Sequence, residues 1–166
     1  MTETMLVRSV PPLLAVAVAL TVSASSGAAG PPSPCHLVTS AEVKAAFGGT
    51  VGAGKIDSSI PGAPTCRFGV KASNLGLSGI AVVFITPGQT AATFAIAKKE
   101  VPGAVAVRGV GTAAFYNPHT TAVELLAGQT VASAQGVFLD PGGPEVNPVK
   151  VKADVIALAK SVAGHL

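Results

Sequence analysis

The stretch Thr121–Phe138, TAVELLAG followed by QTVASAQGVF, decides the fold class. Two strand-length runs divided at Gly128 look like a hairpin, and a hairpin pairs its strands antiparallel. Segments on its N-terminal side extend the pattern. VAVRGVGTAAFYN (Val105–Asn117) reads as a pair of short strands around its glycines. TCRFGVK (Thr65–Lys71) reads as a strand with Cys66, Phe68 and Val70 on one face. IAVVFIT (Ile80–Thr86) is apolar, β-branched and of strand length, so it is expected to be buried on both faces or nearly so. A further short strand is expected near Val51.

Helix signals bracket these strands. In CHLVTSAEVKAAFGG (Cys35–Gly49), Thr39 and Glu42 form a T-x-x-E capping box. Val38 and Val43 occupy the hydrophobic-staple positions, Val43, Ala46 and Phe47 form a short apolar face, and Gly48-Gly49 ends the helix. A second helix is expected to open at Pro87 and run through PGQTAATFAIAKKEV, with Ala91, Phe94, Ala95 and Val101 inward. A third is expected from an Asn147 cap and Pro148, with Val151, Val155, Leu158 and Val162 at helical spacing and Gly164 closing it. The order is α-β-β-β-α-β-β-β-α. Strands grouped between helices, without strict βαβ alternation, favour one α+β domain with a mostly antiparallel sheet and the helices covering one face.

Residues 1–29 read as a secretory signal peptide: a weakly basic start with Arg8, an apolar run, VPPLLAVAVALTV, and a small-residue stretch. The run is too short for a membrane span, which needs about 20 residues. Cleavage is expected before Gly30, with an uncleaved anchor as the alternative. Residues 30–34 are a stiff linker, and residues 35–166 are the domain. The mature form is expected to be secreted, without a membrane span.

In an exported chain, two cysteines most often form a disulfide. Cys35 and Cys66 are the two present. The loop they close contributes about 3.5–4 kcal/mol in the chain-entropy account. They form no CxxC, and no histidine cluster joins them, which disfavours metal and redox roles.

Charged residues make up 11% of the chain, well below the ~25% of a typical domain. The small positive excess is scattered, and the one adjacent basic pair, Lys98-Lys99, is followed by Glu100. Nucleic-acid binders cluster basic residues on one face and interleave aromatics, so nucleic acid is not an expected partner.

Two glycine motifs resemble nucleotide sites and lack the context. GTVGAGKI (Gly49–Ile56) matches G-x-x-x-x-G-K, but Ile56 stands where a P-loop needs a hydroxyl, and the motif follows a helix. GVGTAA (Gly109–Ala114) fits G-x-G-x-x-A, but Asn117-Pro118 arrives too soon for the helix a dinucleotide needs. No cofactor is expected.

His36, His119 and His165 share no metal-ligand spacing, and His165 lies in an expected fraying tail. Ser78, in GLSGI, lacks the nucleophile elbow. Asp140 and Glu145 share a turn-forming loop, DPGGPE. With no Trp, a sugar platform would rely on Tyr116 and a few Phe.

The three stretches CHLVTSAEVKAAFGG, GAPTCRF and VRGVGTAAFY together resemble a family of small actinobacterial secreted proteins and lipoproteins of unknown function. The resemblance implies export, the bridge and a mixed α+β fold, and carries no catalytic residues. The lipobox of the lipoprotein members is missing before Cys35, so a lipid anchor is not expected. The expected function is a non-catalytic secreted domain binding a small ligand, a cell-envelope component or a protein. A secreted hydrolase with dispersed catalytic residues and a passive structural envelope protein are the alternatives.

Overall fold

A computed structural model of the chain describes residues 33–59, 63–139 and 148–166. The signal segment, most of the linker, Asp140, Glu145 and Asn147 lie outside the described residues. The chain opens with a 3₁₀ turn, Pro34–His36, whose first residue is already buried. The helices are α1 (Ser40–Phe47), α2 (Ala91–Glu100) and α3 (Pro148–Gly164). The strands are β1 (Thr50–Val51), β2 (Lys55–Asp57), β3 (Thr65–Lys71), β4 (Ser78–Pro87), β5 (Val105–Ala106), β6 (Ala113–Asn117), β7 (Ala122–Ala127) and β8 (Thr130–Leu139).

They form one antiparallel sheet in the order β1-β3-β4-β8-β7-β6-β5, with β2 also pairing with β3. The α+β class and the hairpin Thr121–Phe138 hold as expected. The first four strands walk inward to β4, and β5 to β8 walk inward from the far edge. The two halves meet along β4 and β8, which pair over ten residues from Ser78↔Leu139 to Pro87↔Thr130. Among the described residues eight strands stand where the expected order has six, four on either side of α2 rather than three. Of these β2, which begins at Lys55 inside the glycine motif, was not foreseen, and Asp57 on it pairs with Arg67 at 3.2 Å.

The disulfide joins Cys35 to Cys66, Cα atoms 5.0 Å apart. It ties the 3₁₀ turn to β3 just ahead of α1. That tether matters because eight residues are too few for an isolated helix, which needs about 12–15. The rest of the holding force is burial: Val43, Ala46 and Phe47 are all buried, and the Phe47 ring lies 5.1 Å from that of Phe138. The capping box at Thr39 and Glu42 is formed in both directions. At the other end Gly48 and Gly49 both have positive φ, and the last helical carbonyl, of Phe47, accepts from the amide of Asn74 at 2.7 Å.

The main core lies under α1 and α3, which pack on each other and on one face of the sheet. Strand alternation supplies it: Cys66, Phe68 and Val70 from β3, Ala81, Val83 and Ile85 from β4, Val123 and Leu125 from β7. The α3 stripe is the expected Val151, Val155, Leu158 and Val162, with Ala159 added. His165 is not a frayed end. Its Nε2 lies 2.9 Å from Glu42 Oε1, so the last turn of α3 is fastened to the first turn of α1.

The expectation that all helices share one face is corrected. Phe94 of α2 packs on Phe115 and Leu126, whose neighbours Ala114, Tyr116 and Leu125 belong to the main core, so α2 lies on the opposite face. The topology requires it. The chain leaves β4 at the middle of the sheet and must reach β5 at its edge, and the core face is taken by the two terminal helices. The start of α2 is corrected too. Pro87 ends β4, Gly88 turns the chain at φ +74°, and Thr90 caps the helix in a reciprocal box with Thr93. Proline has no amide to give to the ladder, so pairing stops at Pro87.

Candidate functional site

Among the described residues, the face under α2 carries a cavity on which polar and aromatic side chains converge. Strand register lays the floor as a row across four strands: Phe84 on β4 faces Ser133 on β8, Ser133 faces Glu124 on β7, and Glu124 faces Phe115 on β6. Residues directly opposite on one face have Cβ atoms about 4.5–5.5 Å apart, so the row is continuous. Thr86 and Val131 form the next row. Thr93, Phe94 and Ala97 of α2, with Val101 just past its end, form the opposite wall, where Phe94 is buried and Thr93 and Ala97 remain open to solvent. Gln89 and Asn117 complete a cavity of about 320 Å³.

The composition of α2 explains why a cavity is there at all. Its inward stripe follows i, i+3, i+7 from Phe94, and Phe94 is the one buried side chain of the helix. The rings of Phe94 and Phe115 meet at 5.3 Å, tilted by 49°. Ala97 beside them is too short to fill the space between helix and sheet. Ala91 and Ala95, expected inward, are exposed because the helix begins later than Pro87 and turns a different side to the sheet. Both ends of this segment are fastened. The Gln89 backbone N–H donates to Gln129 O at 2.9 Å, and Pro102 O lies 3.1 Å from His119 Nε2.

Glu124 is the charged residue of the lining. Ser133 Oγ donates to its Oε1 at 2.9 Å, and Ser133 itself is fully buried. Burial pushes the Glu124 carboxyl above its ordinary pKa, and the Ser133 hydrogen bond opposes that rise. No Lys, Arg or His is among the lining residues. An acid held in an apolar recess, with no cation beside it, is an uncommon and costly arrangement.

The residues singled out in the sequence lie elsewhere. Cys35 and Cys66 meet, beneath the sheet edge rather than in the cavity. Lys55 opens β2, Gly111 sits in a bend with φ +55°, and no helix starts at either glycine motif. Ser78 begins β4, and its Oγ accepts from the Ala72 amide at 3.4 Å. Tyr116 is buried beneath α3, with the Lys152 ammonium 5.1 Å from its ring centre, so it is no exposed platform. Among the described residues no group of three His, Cys, Asp or Glu is placed to hold a metal ion. Among them, too, no helix is long and apolar enough to cross a membrane.

Glu124 itself escaped the sequence reading, yet it had a signal. AVELLA places a single acid within an otherwise apolar strand, on the face opposite Val123 and Leu125. A charge in such a run marks either an edge to solvent or a buried acid with a task. A second depression, of about 460 Å³, is lined by β1, β3 and the start of β4. Its lining is glycine, valine, hydroxyls and Lys71, with no comparable convergence. Set against protein-family models, curated proteins and solved structures, the chain matches none.

Proposed function

We propose that this is an exported binding domain without catalytic turnover, and that the cavity between α2 and the sheet takes a small, largely apolar molecule. One observation carries the reading: Phe84, Phe94 and Phe115 gather with Glu124 around a 320 Å³ space. Small-molecule sites are concave, mostly apolar and equipped with a few placed polar groups, within about 300–1,000 Å³. The Cys35–Cys66 disulfide supports an oxidising compartment, and the leader-like sequence of residues 1–29 supports export to it. Of the three kinds of partner open to such a domain, the size of this open-sided cavity favours a small molecule of the cell envelope over a protein. Hydrolysis needs a nucleophile or activated water with its base. The cavity brings a single titratable group, Glu124.

The test is native mass spectrometry of protein recovered from a secreting host, with thermal-shift screening against small apolar and amphipathic compounds. A co-purifying or stabilising molecule is expected, displaced when Ala97→Phe fills the cavity. Turnover of ester, peptide or glycoside substrates, lost in Glu124→Gln, would move the hydrolase ahead. No bound molecule and no stabilising compound would favour the passive structural role.

A further inference from the structure

We infer that the ligand is an organic ammonium ion, whose positive charge is met by the Glu124 carboxylate among the rings of Phe84, Phe94 and Phe115. This rests on the small-molecule reading of the same cavity and names the chemistry that reading leaves open.

Charge is the first argument. The lining holds one ionisable group, an acid, with three phenyl rings, two threonines, two side-chain amides and small apolar residues. A ligand that carries an anion would face that acid with no cation to offset it. A neutral apolar ligand would suit the acid only in its protonated form. A cation completes the site.

Hydrogen bonding is the second. An ionised carboxylate offers about four acceptor positions. Ser133 uses one, at Oε1, and no hydrogen bond to Oε2 is made among the described residues. Every fully buried side-chain nitrogen or oxygen among those residues has a partner. Oε2 is therefore not sealed, and it remains within reach of a bound molecule.

The rings are the third. The face of a phenyl ring carries negative potential, and cations are drawn to it most strongly where water is excluded. Phe94 and Phe115 are nearly fully buried and mutually tilted, so they form a corner rather than a flat stack. Phe84 approaches from the far side of Ser133. Aromatic groups beside a carboxylate are the chemistry that recognises a quaternary or alkylated ammonium.

Binding then couples to a proton. Burial favours the neutral acid in the free protein, and a cation favours the carboxylate. Ser133 of β8 bonds Glu124. The cavity is lined by Phe84 and Thr86 of β4, by Gln89, by Thr93, Phe94 and Ala97 of α2, by Val101, by Phe115 and Asn117 of β6 and by Val131 of β8, none of which titrates near neutrality. Lys98, Lys99 and Glu100 at the end of α2 are outside the lining. Affinity for a cation should rise with pH through the Glu124 titration.

The experiment uses two probes of one shape: choline, and its uncharged carbon isostere 3,3-dimethylbutan-1-ol. Both are titrated into the folded chain by NMR, following the amides of β7, β8 and α2. Choline is expected to bind at least about tenfold more tightly at pH 7.5. That preference should disappear in Glu124→Gln, which retains an oxygen for Ser133, and should shrink in the wild-type protein as pH falls. Equal or stronger binding of the alcohol overturns the ammonium assignment and leaves the small-molecule reading standing. Silence from both probes, together with no binding of any apolar compound, removes both.

Discussion

Gly136 lies directly against the ring of Phe47: a Cβ at position 136 would stand 2.9 Å from Cε1 of Phe47 and 3.0 Å from Cε2 of Phe138. Real side chains do not approach so closely, and two buried rings in contact have nowhere to retreat. Gly136→Ala should cost about 1–3 kcal/mol, the usual range for overpacking. Gly69→Ala is the control, because nothing lies within 4 Å of its would-be Cβ. There the change should be neutral or favourable by up to about 1 kcal/mol. Urea unfolding midpoints of the two variants test the contrast, and equal loss at both sites contradicts it.

The disulfide closes a sequence separation of 31 residues. Loop-closure entropy assigns such a bridge about 3.5–4 kcal/mol. Cys35→Ser with Cys66→Ser should lower stability by that order, with the loss felt first in the 3₁₀ turn and α1. Amide exchange is the measurement. Faster exchange in α1 than in the β4–β8 ladder is the expected pattern, and uniform acceleration would count against a local tether.

Glu42 is held below its ordinary pKa, first by its hydrogen bond with His165 and next by the Thr39 amide. A depressed folded value means the unfolded chain binds the proton more tightly. The resulting stability is full above about pH 4.5, the ordinary value, and is lost as pH falls through the depressed one. Glu42→Gln preserves the capping box in kind, since glutamine also serves at that position. The variant should therefore lose stability near neutrality, and the gap should close in acid. A gap that persists at low pH would falsify this.

Glu124 predicts the opposite sign. Its folded pKa is raised above 4.5, so stability present at low pH is lost as pH climbs from the unfolded value through the folded one. Glu124→Gln removes that loss. At neutral pH the variant should be more stable by on the order of 1 kcal/mol, as for other functional groups relieved of burial. In acid the two proteins should coincide. Thermal melts at several pH values provide the check, and a destabilised variant at neutrality would show that the carboxylate is structurally required.

The sequence discloses the elements more fully than their sides. Periodicity of two in β3, the box at Thr39 and Glu42, and the i, i+4, i+7 stripe of α3 are local facts, and local rules read them. The side taken by α2 is global: it follows from β8 returning to pair with β4, a contact between residues some fifty positions apart. The cavity depends on both. Phe84, Phe94, Phe115 and Glu124 are spread over four elements, and only the register that lines up Phe84, Ser133, Glu124 and Phe115 makes them neighbours. No linear motif could announce that set. The bridge was legible because two cysteines behind a leader-like segment leave few arrangements.

The helix α2 touches the sheet through one buried ring, while α1 and α3 share the sealed core on the reverse. Foundation and furnishing are thereby kept on separate sides of one sheet. Exchanges at Thr93, Ala97 or Val101 reshape what the cavity accepts and leave the load on Phe47, Val155 and Leu158 untouched. A lineage built on this plan is free to reshape its cavity by editing the nine residues from Thr93 to Val101, with the scaffold and its bridge left in place.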